Sequence, residues 1–132
     1  MAKYKIIVNP ISGRGAGAQA IPQLNRLLDH NHLDYDLVQT QHPWHAAELA
    51  RAAVAQDYQV VVAVGGDGTI NEVINGLMLA KTNQEGQAAL GVISVGRGND
   101  FAFGAGIPPE MDAAVRLLAE DQRQWMDIGQ VS

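Results

Sequence analysis

The chain contains no cysteine. A disulfide framework, a thiol nucleophile and Cys-ligated zinc are therefore excluded, and the absence fits a reducing cytoplasm. No apolar run reaches the length of a membrane-spanning helix. The first residues resemble no signal peptide: Met1-Ala2-Lys3-Tyr4-Lys5 runs straight into strand-like sequence. Basic residues are few, 9 against 14 acidic ones, for a formal net charge of −5. That balance argues against a nucleic-acid partner and against adsorption to an anionic membrane by net charge alone, while leaving room for a local basic spot. Internal repeats and low-complexity linkers are also missing. What remains is a globular composition, 47% hydrophobic and 17% charged, in a chain of 132 residues that reads as one domain with enough length to bury a core.

The stretch from Val60 to Glu72 organises the sequence. Val60-Val61-Val62-Ala63-Val64 suits a strand covered on both faces, as in a parallel sheet. Gly65, Gly66 and Gly68 follow, interrupted only by Asp67. Glycine permits positive φ and lets a ligand approach closely. Thr69 and Glu72 have capping-box spacing, which predicts a helix starting here with Ile70, Val73, Ile74, Leu77 and Met78 on its apolar face. A glycine turn feeding a helix N-terminus aims free N–H groups and the positive end of the helix dipole at one spot, which makes an anion site, most often for phosphate. The plainer reading is a strand-to-helix connection with no ligand. Asp67 favours the ligand, because an acid inside an anion-binding turn calls for an accompanying cation, and Mg²⁺ with a nucleotide phosphate meets that need.

The rest of the chain alternates in the same way. Residues 3 to 9 read as a first strand, ended by Pro10. The loop Asn9-Pro10-Ile11-Ser12-Gly13-Arg14-Gly15 offers a hydroxyl, backbone donors and, at Arg14, a cation for phosphate; a polar surface turn is the alternative. Gly13 to Ala18 also fits the dinucleotide fingerprint G-x-G-x-x-G/A, with Asp34 or Asp36 about 20 residues on. Position argues against that match: Asn9 to Ser12 separate the strand from the first glycine, and the acids open the second strand instead of closing it.

A helix is predicted from about Ala16 to Asn31, with Ile21, Leu24, Leu27 and Leu28 inward and Pro22 near its first turn. A second strand spans Asp34 to Thr40. An alanine-rich helix spans Pro43 to Gln56, with Ala46, Leu49, Ala50, Ala53 and Val54 inward. His42 and His45 stand three apart, like metal ligands, but no acid or further histidine clusters with them in sequence; they, like His30 and His32, read as solvated. After a helix ending near Ala80 come a polar loop, a fourth buried strand from Leu90 to Val95 and a second glycine loop, Gly96-Arg97-Gly98-Asn99-Asp100. Asp100 can alternatively satisfy N–H groups at a helix start, and Phe101 and Phe103 read as core plugs. A helix from about Pro109 to Asp121, with Met111, Ala114, Val115, Leu117 and Leu118 buried, precedes a strand from Gln124 to Val131. Strands alternating with helices predict an α/β fold, a parallel sheet with helices on both faces in three layers. The loops after the first, third and fourth strands then share the sheet edge where ligands bind.

Gly65-Gly66-Asp67-Gly68-Thr69, followed by Asn71-Glu72-Val73 and Asn75-Gly76-Leu77, resembles the signature of the diacylglycerol kinase catalytic domain family, which includes bacterial lipid kinases and sphingosine kinases. The shorter core through Thr69 is shared with the NAD kinases. Asn9-Pro10-Ile11-Ser12-Gly13 is similar to the family's first nucleotide-binding loop, Gly96 to Ala102 to its second glycine motif, and Asp127-Ile128-Gly129 to its following strand. Two positions depart from the pattern: Ser94 stands where the family commonly has Pro, and Arg97 where it commonly has Thr. Arg97 either reaches a phosphate or obstructs the usual nucleotide pose.

The resemblance spans nearly the whole chain but only the N-terminal half of such a kinase. It implies that residues 1–132 are a nucleotide-binding domain lacking the C-terminal β-rich domain, which supplies further metal-binding acids and the base for the lipid hydroxyl; truncation is favoured over a natural half-protein. The implied activity is ATP-dependent phosphorylation of diacylglycerol or a related lipid, with ATP and Mg²⁺. By resemblance, Gly65, Gly66, Gly68 and Thr69 cradle phosphates, and Asp67 holds Mg²⁺ or, as in NAD kinases, acts as base. Asn9, Pro10, Ser12, Gly13, Arg14 and Thr40 contact the nucleotide, Asn71 and Glu72 orient the site, and Gly96, Arg97, Gly98, Asn99 and Asp100 form the facing loop. The expected setting is cytoplasmic, with transient membrane contact by the full-length protein; homo-oligomerisation is left open. Two alternatives are a kinase of a soluble acceptor and an inactive nucleotide-binding fragment.

Overall fold

The computed structural model describes residues 3–95 and 111–120. Their order is β1 (Lys3–Val8), α1 (Ser12–His30), β2 (Asp34–Gln39), α2 (His45–Ala55), β3 (Val60–Gly65), α3 (Asp67–Thr82), β4 (Ala89–Ser94) and α4 (Met111–Ala119). The four strands form one parallel sheet in the order β2-β1-β3-β4. All six residues of β3 are buried. A strand apolar at both odd and even positions can only lie inside a sheet that is covered on both faces. Here Val62 sits in register between Ile6 of β1 and Gly91 of β4.

Strand parity divides the core into two layers. Tyr4, Ile6, Val8, Val60, Val62 and Val64 pack with Leu24 and Leu28 of α1 and with Val115 and Leu118 of α4. Ile7, Val61, Ala63, Leu90 and Val92 pack with Ala46, Ala50 and Ala53 of α2 and with Ile70, Val73 and Leu77 of α3. The three-layer α/β architecture is the one predicted. The Tyr4 hydroxyl donates to the Leu118 carbonyl at 2.9 Å and ties α4 to the sheet. The predicted strand at Gln124–Val131 and the loop Gly96–Asp100 lie outside the described residues.

Three local expectations are corrected. Pro22 lies inside α1, well past its first turn. The N–H it lacks would have met the Ala18 carbonyl, and both residues face solvent, so water can serve that carbonyl. Gly13, Arg14 and Gly15, nominally within α1, have φ of 62°, 61° and 93°; the regular helix therefore starts near Ala16, as read from the sequence. The Thr69–Glu72 capping box does not form. Gly66 is the N-cap of α3, no side chain caps it, and the Ile70 N–H reaches the Gly66 carbonyl at 3.1 Å. Thr69 is instead the third helical residue, its hydroxyl oxygen taken by Asn9. Met78 is 39% exposed and does not share the buried face.

The C-terminal edge of the sheet carries the glycine loops; the opposite end carries a separate polar cluster. There the Tyr58 hydroxyl donates to Asp36 Oδ2 in a short hydrogen bond, and Lys3 Nζ and Lys5 Nζ stand 4.7 and 5.0 Å from the ring centroid. The hydrogen bond to Asp36, followed by burial, pushes the Tyr58 phenol up to about 12. A folded-state value above the unfolded one stabilises the protein fully below the unfolded value and loses that contribution as pH rises through the folded one. Chemical unfolding followed between pH 9 and 12.5 should show stability falling from about pH 10 upward, and Tyr58→Phe should flatten that fall.

Helices α2 and α3 approach closely because small residues line their contact. A Cβ at Gly76 would stand 2.2 Å from the Ala47 carbonyl oxygen and 3.0 Å from the Ala50 Cβ. Alanine favours a helix over glycine by about 1 kcal/mol, so propensity alone predicts that Gly76→Ala stabilises. The contact predicts the reverse, a net loss of about 1–3 kcal/mol, readable as a lower urea midpoint.

Candidate functional site at the carboxyl edge of the sheet

The strand order contains one reversal. From β1 the chain passes through α1 to β2 on one side; from β2 it passes through α2 to β3 on the other side of β1. The neighbouring strands β1 and β3 therefore send their loops to opposite faces, toward α1 in one layer and α3 in the other. Diverging loops leave a crevice outside the strand ends, the position where open parallel sheets bind ligands.

The two loops are joined across this crevice. The Asn9 backbone N–H donates to the Val64 carbonyl at 3.0 Å, extending the β1–β3 pairing. Its side-chain amide donates to Thr69 Oγ1 at 3.1 Å, and its Oδ1 accepts from the Ile11 N–H at 3.1 Å. Thr69 is 4% exposed, a buried polar side chain in the first turn of α3. An Asn side chain offers both a donor and an acceptor, and this one uses both. Gly65 lets the loops close: a Cβ there would lie 2.7 Å from Thr69 Oγ1 and 2.8 Å from Ser12 Oγ. Gly66 and Gly68 differ in kind. Among the described residues nothing lies within 4 Å of a Cβ built on either, so with respect to those residues their backbone faces open space at the N-terminus of α3. The glycines of this turn serve close approach and not positive φ; Gly66 itself has φ −98°. Asp67 is the exposed first residue of α3, where the helix dipole favours an acid.

Beside the Asn9–Thr69 bridge lies a cavity of about 360 Å³. Asn9, Pro10 and Thr69, with Glu72 of α3, line it together with Thr40, whose N–H donates to the Val8 carbonyl at 2.9 Å. Ile11, Gln41, His42, Pro43 and Ala46 complete the lining. Those five were not read from the sequence as site residues; the signal that could have found them is their adjacency to Asn9 and Thr40, strand-end residues on the same sheet edge. Ser12, Gly13, Arg14, Gly65, Gly66, Asp67, Gly68 and Asn71 belong to the same loops or the first turns of their helices but do not line this cavity. Gly13 and Arg14 are exposed, as is Asn71, whose carbonyl accepts from Asn75 Nδ2 at 3.0 Å. Gly96, Arg97, Gly98, Asn99 and Asp100 lie outside the described residues.

A family model of the diacylglycerol kinase catalytic domain matches residues 3–131. The chain belongs to that family. It is 36% identical over 134 residues to a diacylglycerol kinase of Bacillus subtilis (strain 168), a match that covers 100% of this chain and 43% of the relative. It is 31% identical over 128 residues to a diacylglycerol kinase of Staphylococcus haemolyticus, covering 97% of this chain and 38% of the relative. A crystal structure of a diacylglycerol kinase from Bacillus anthracis str. Sterne superposes with a TM-score of 0.76 at 27% identity, covering 91% of this chain and 40% of that one. The chain thus spans about two-fifths of the length of these relatives. No helix among the described residues is long and apolar enough to cross a membrane.

One sequence reading in this diacylglycerol kinase family domain needs correction. Glu48 does join His42 and His45: the donor atoms of the three lie within 4.8 Å of one another, and His42 Nε2 is 3.9 Å from Glu48 Oε2. The cluster is nevertheless poorly built for a metal. The two imidazoles stack with centroids 4.4 Å apart and planes 16° apart, so their in-plane lone pairs run nearly parallel instead of converging. His45 Nδ1 is also already taken by the Gln41 N–H at 2.9 Å.

The Asn9 bridge gives a direct test of how the crevice is held. Asn9→Ala removes both side-chain hydrogen bonds and leaves the buried Thr69 hydroxyl without that donor. Thermal or urea unfolding should report a loss of about 1–3 kcal/mol; an unchanged midpoint would mean that the two loops do not depend on Asn9.

Proposed function

We propose that this chain is the nucleotide-binding part of an ATP-dependent lipid kinase, and that the full-length protein phosphorylates the hydroxyl of diacylglycerol or a related lipid. The observation that carries this reading is the open backbone at Gly66 and Gly68, at the N-terminus of α3 and beside a cavity that meets the β1 loop. Phosphate oxygens suit that place, because the first N–H groups of a helix lack internal partners and the helix dipole favours negative charge. Side chains at those two positions would fill the space, so the absence of a Cβ is what keeps it available.

In this reading the turn from Gly65 to Thr69 cradles the β- and γ-phosphates, while Asn9, Pro10 and Thr40 contact the rest of the nucleotide along the cavity. Ser12, Gly13 and Arg14 lie toward the phosphates, with Arg14 as cation. Glu72 orients the site from the cavity wall, and Asn71 does so from the solvent side of α3. By the family resemblance, Gly96, Arg97, Gly98, Asn99 and Asp100 would add further contacts to the nucleotide. Asp67 fits a divalent cation by chemistry and exposure: it offers hard carboxylate oxygens at the mouth of the phosphate cradle. Mg²⁺ bound there would neutralise charge on the transferred phosphoryl group. The rest of the task is positioning, with the acceptor hydroxyl held in line and its proton removed by a base assigned to the part of the protein beyond this chain. Asp67 is the alternative base.

The lipid acceptor is supported by the family names of the relatives and by an apolar rim. Ile11, 78% exposed, lines the cavity, and Trp44, 57% exposed, follows the cavity residue Pro43. Such a rim suits transient contact with a membrane surface by the full-length protein, acting from the cytoplasm. The second reading, a binding fragment without turnover, is favoured by coverage: three-fifths of each relative has no counterpart here. The isolated chain is therefore expected to bind MgATP and to show no turnover above background.

Calorimetric titration of ATP with and without Mg²⁺ tests the proposal. Binding should tighten with Mg²⁺, and Asp67→Ala should remove the Mg²⁺ dependence. In the full-length protein Asp67→Asn should abolish phosphoryl transfer; undiminished turnover would take Asp67 out of the mechanism.

A further inference from the structure

We infer that His45 is a positioning residue for the nucleotide cavity, holding the turn between β2 and α2 by accepting the Gln41 N–H on its Nδ1 at 2.9 Å. The inference deepens the nucleotide-binding reading and rests on it. That turn brings Thr40, Gln41, His42 and Pro43 to the cavity wall. Among the described residues no backbone hydrogen bond from the sheet holds it beyond Thr40, whose N–H still pairs with β1.

Hydrogen-bond roles fix the tautomers. A backbone N–H can only donate, so His45 Nδ1 must carry its lone pair and a neutral His45 holds its proton on Nε2. A carbonyl can only accept, so His42, with Nδ1 2.9 Å from the Pro43 carbonyl oxygen, holds its proton on Nδ1. The two rings stack, and the His45 N–H returns to the His42 carbonyl at 3.2 Å. These contacts close a short turn from Gln41 to His45.

The turn also carries backbone strain. Trp44, the N-cap of α2, has φ 68°, a left-handed conformation that bulky residues rarely adopt, and it makes no side-chain cap hydrogen bond. Strain of this kind persists only where surrounding contacts over-determine it. The His45 side chain supplies the contact that reaches back across Trp44 and Pro43 as far as Gln41, beyond the backbone bond and ring stack that His45 makes with His42. Removing that acceptor leaves the Gln41 N–H without its partner and lets Trp44 relax, which moves the wall.

The test uses the full 132-residue chain at pH 8, as wild type, His45→Ala and His45→Asn. Asn places its Oδ1 where Nδ1 stands and tolerates a helix start; Ala supplies no acceptor. Imidazole ¹⁵N shifts should report an unprotonated Nδ1 in His45, and the Gln41 amide should exchange about three- to tenfold faster in His45→Ala than in wild type. MgATP should bind about three- to tenfold more weakly to His45→Ala and within about twofold of wild type to His45→Asn. A proton on Nδ1, unchanged Gln41 exchange in His45→Ala, or an Asn variant as impaired as the Ala variant would each overturn the inference. Failure of the wild type to bind ATP would instead overturn the nucleotide reading, and the shift and exchange results would still decide whether His45 holds the turn.

Discussion

Asn9 and Thr69 are sixty residues apart, and the hydrogen bond between their side chains crosses the point where the strand order reverses. The site depends on this constraint. Loops leaving β1 and β3 diverge to opposite layers, so their backbone pairing ends at the Asn9 N–H and the Val64 carbonyl, and beyond it the crevice has no such pairing to hold its width. One amide supplies that link: it donates to a buried hydroxyl on α3 and accepts from the Ile11 N–H on its own loop. An open space at a fixed distance from a helix N-terminus then follows from the fold, and its chemistry follows from which residues leave room in it.

The glycines show how that room is divided. Gly65 and Gly76 are places where two parts of the chain meet too closely for a side chain. Gly13 and Gly15 turn the backbone after β1 in the left-handed region. Gly66 and Gly68 meet no described residue, and for those two a ligand is the natural explanation of the missing side chain. The glycines of the chain thus fill three physical roles, and only one of them concerns binding. The acid between Gly66 and Gly68 adds to that reading, although the helix N-terminus alone is enough to accommodate it.

The layered fold was legible because its signal is strong and local. Five apolar residues in a row at Val60–Val64 require cover on both faces, and the alternation of strands and helices then fixes a parallel sheet. The loops of the site were legible through their residue types and through the resemblance of Gly65–Thr69 and Asn9–Gly13 to a known family. Three features were not legible, each for a tertiary reason. Thr69 has the spacing of a cap but is claimed by Asn9 from another loop. Pro22 reads as a first-turn residue, yet the solvent face of α1 tolerates its missing donor. Glu48 stands three residues beyond His45, and the role of the histidines depends on ring orientation and on the Gln41 N–H, which spacing does not encode.

The central claim is that MgATP binds at the reversal between β1 and β3, against the open backbone at the start of α3. Amide chemical-shift mapping of the ¹⁵N-labelled chain with MgATP tests it most directly. The account predicts the largest shifts at Gly66, Gly68, Ile11 and Thr40, with little change at the opposite end of the sheet around Tyr58 and Asp36. Saturable shifts centred elsewhere, or none at millimolar MgATP, would contradict it.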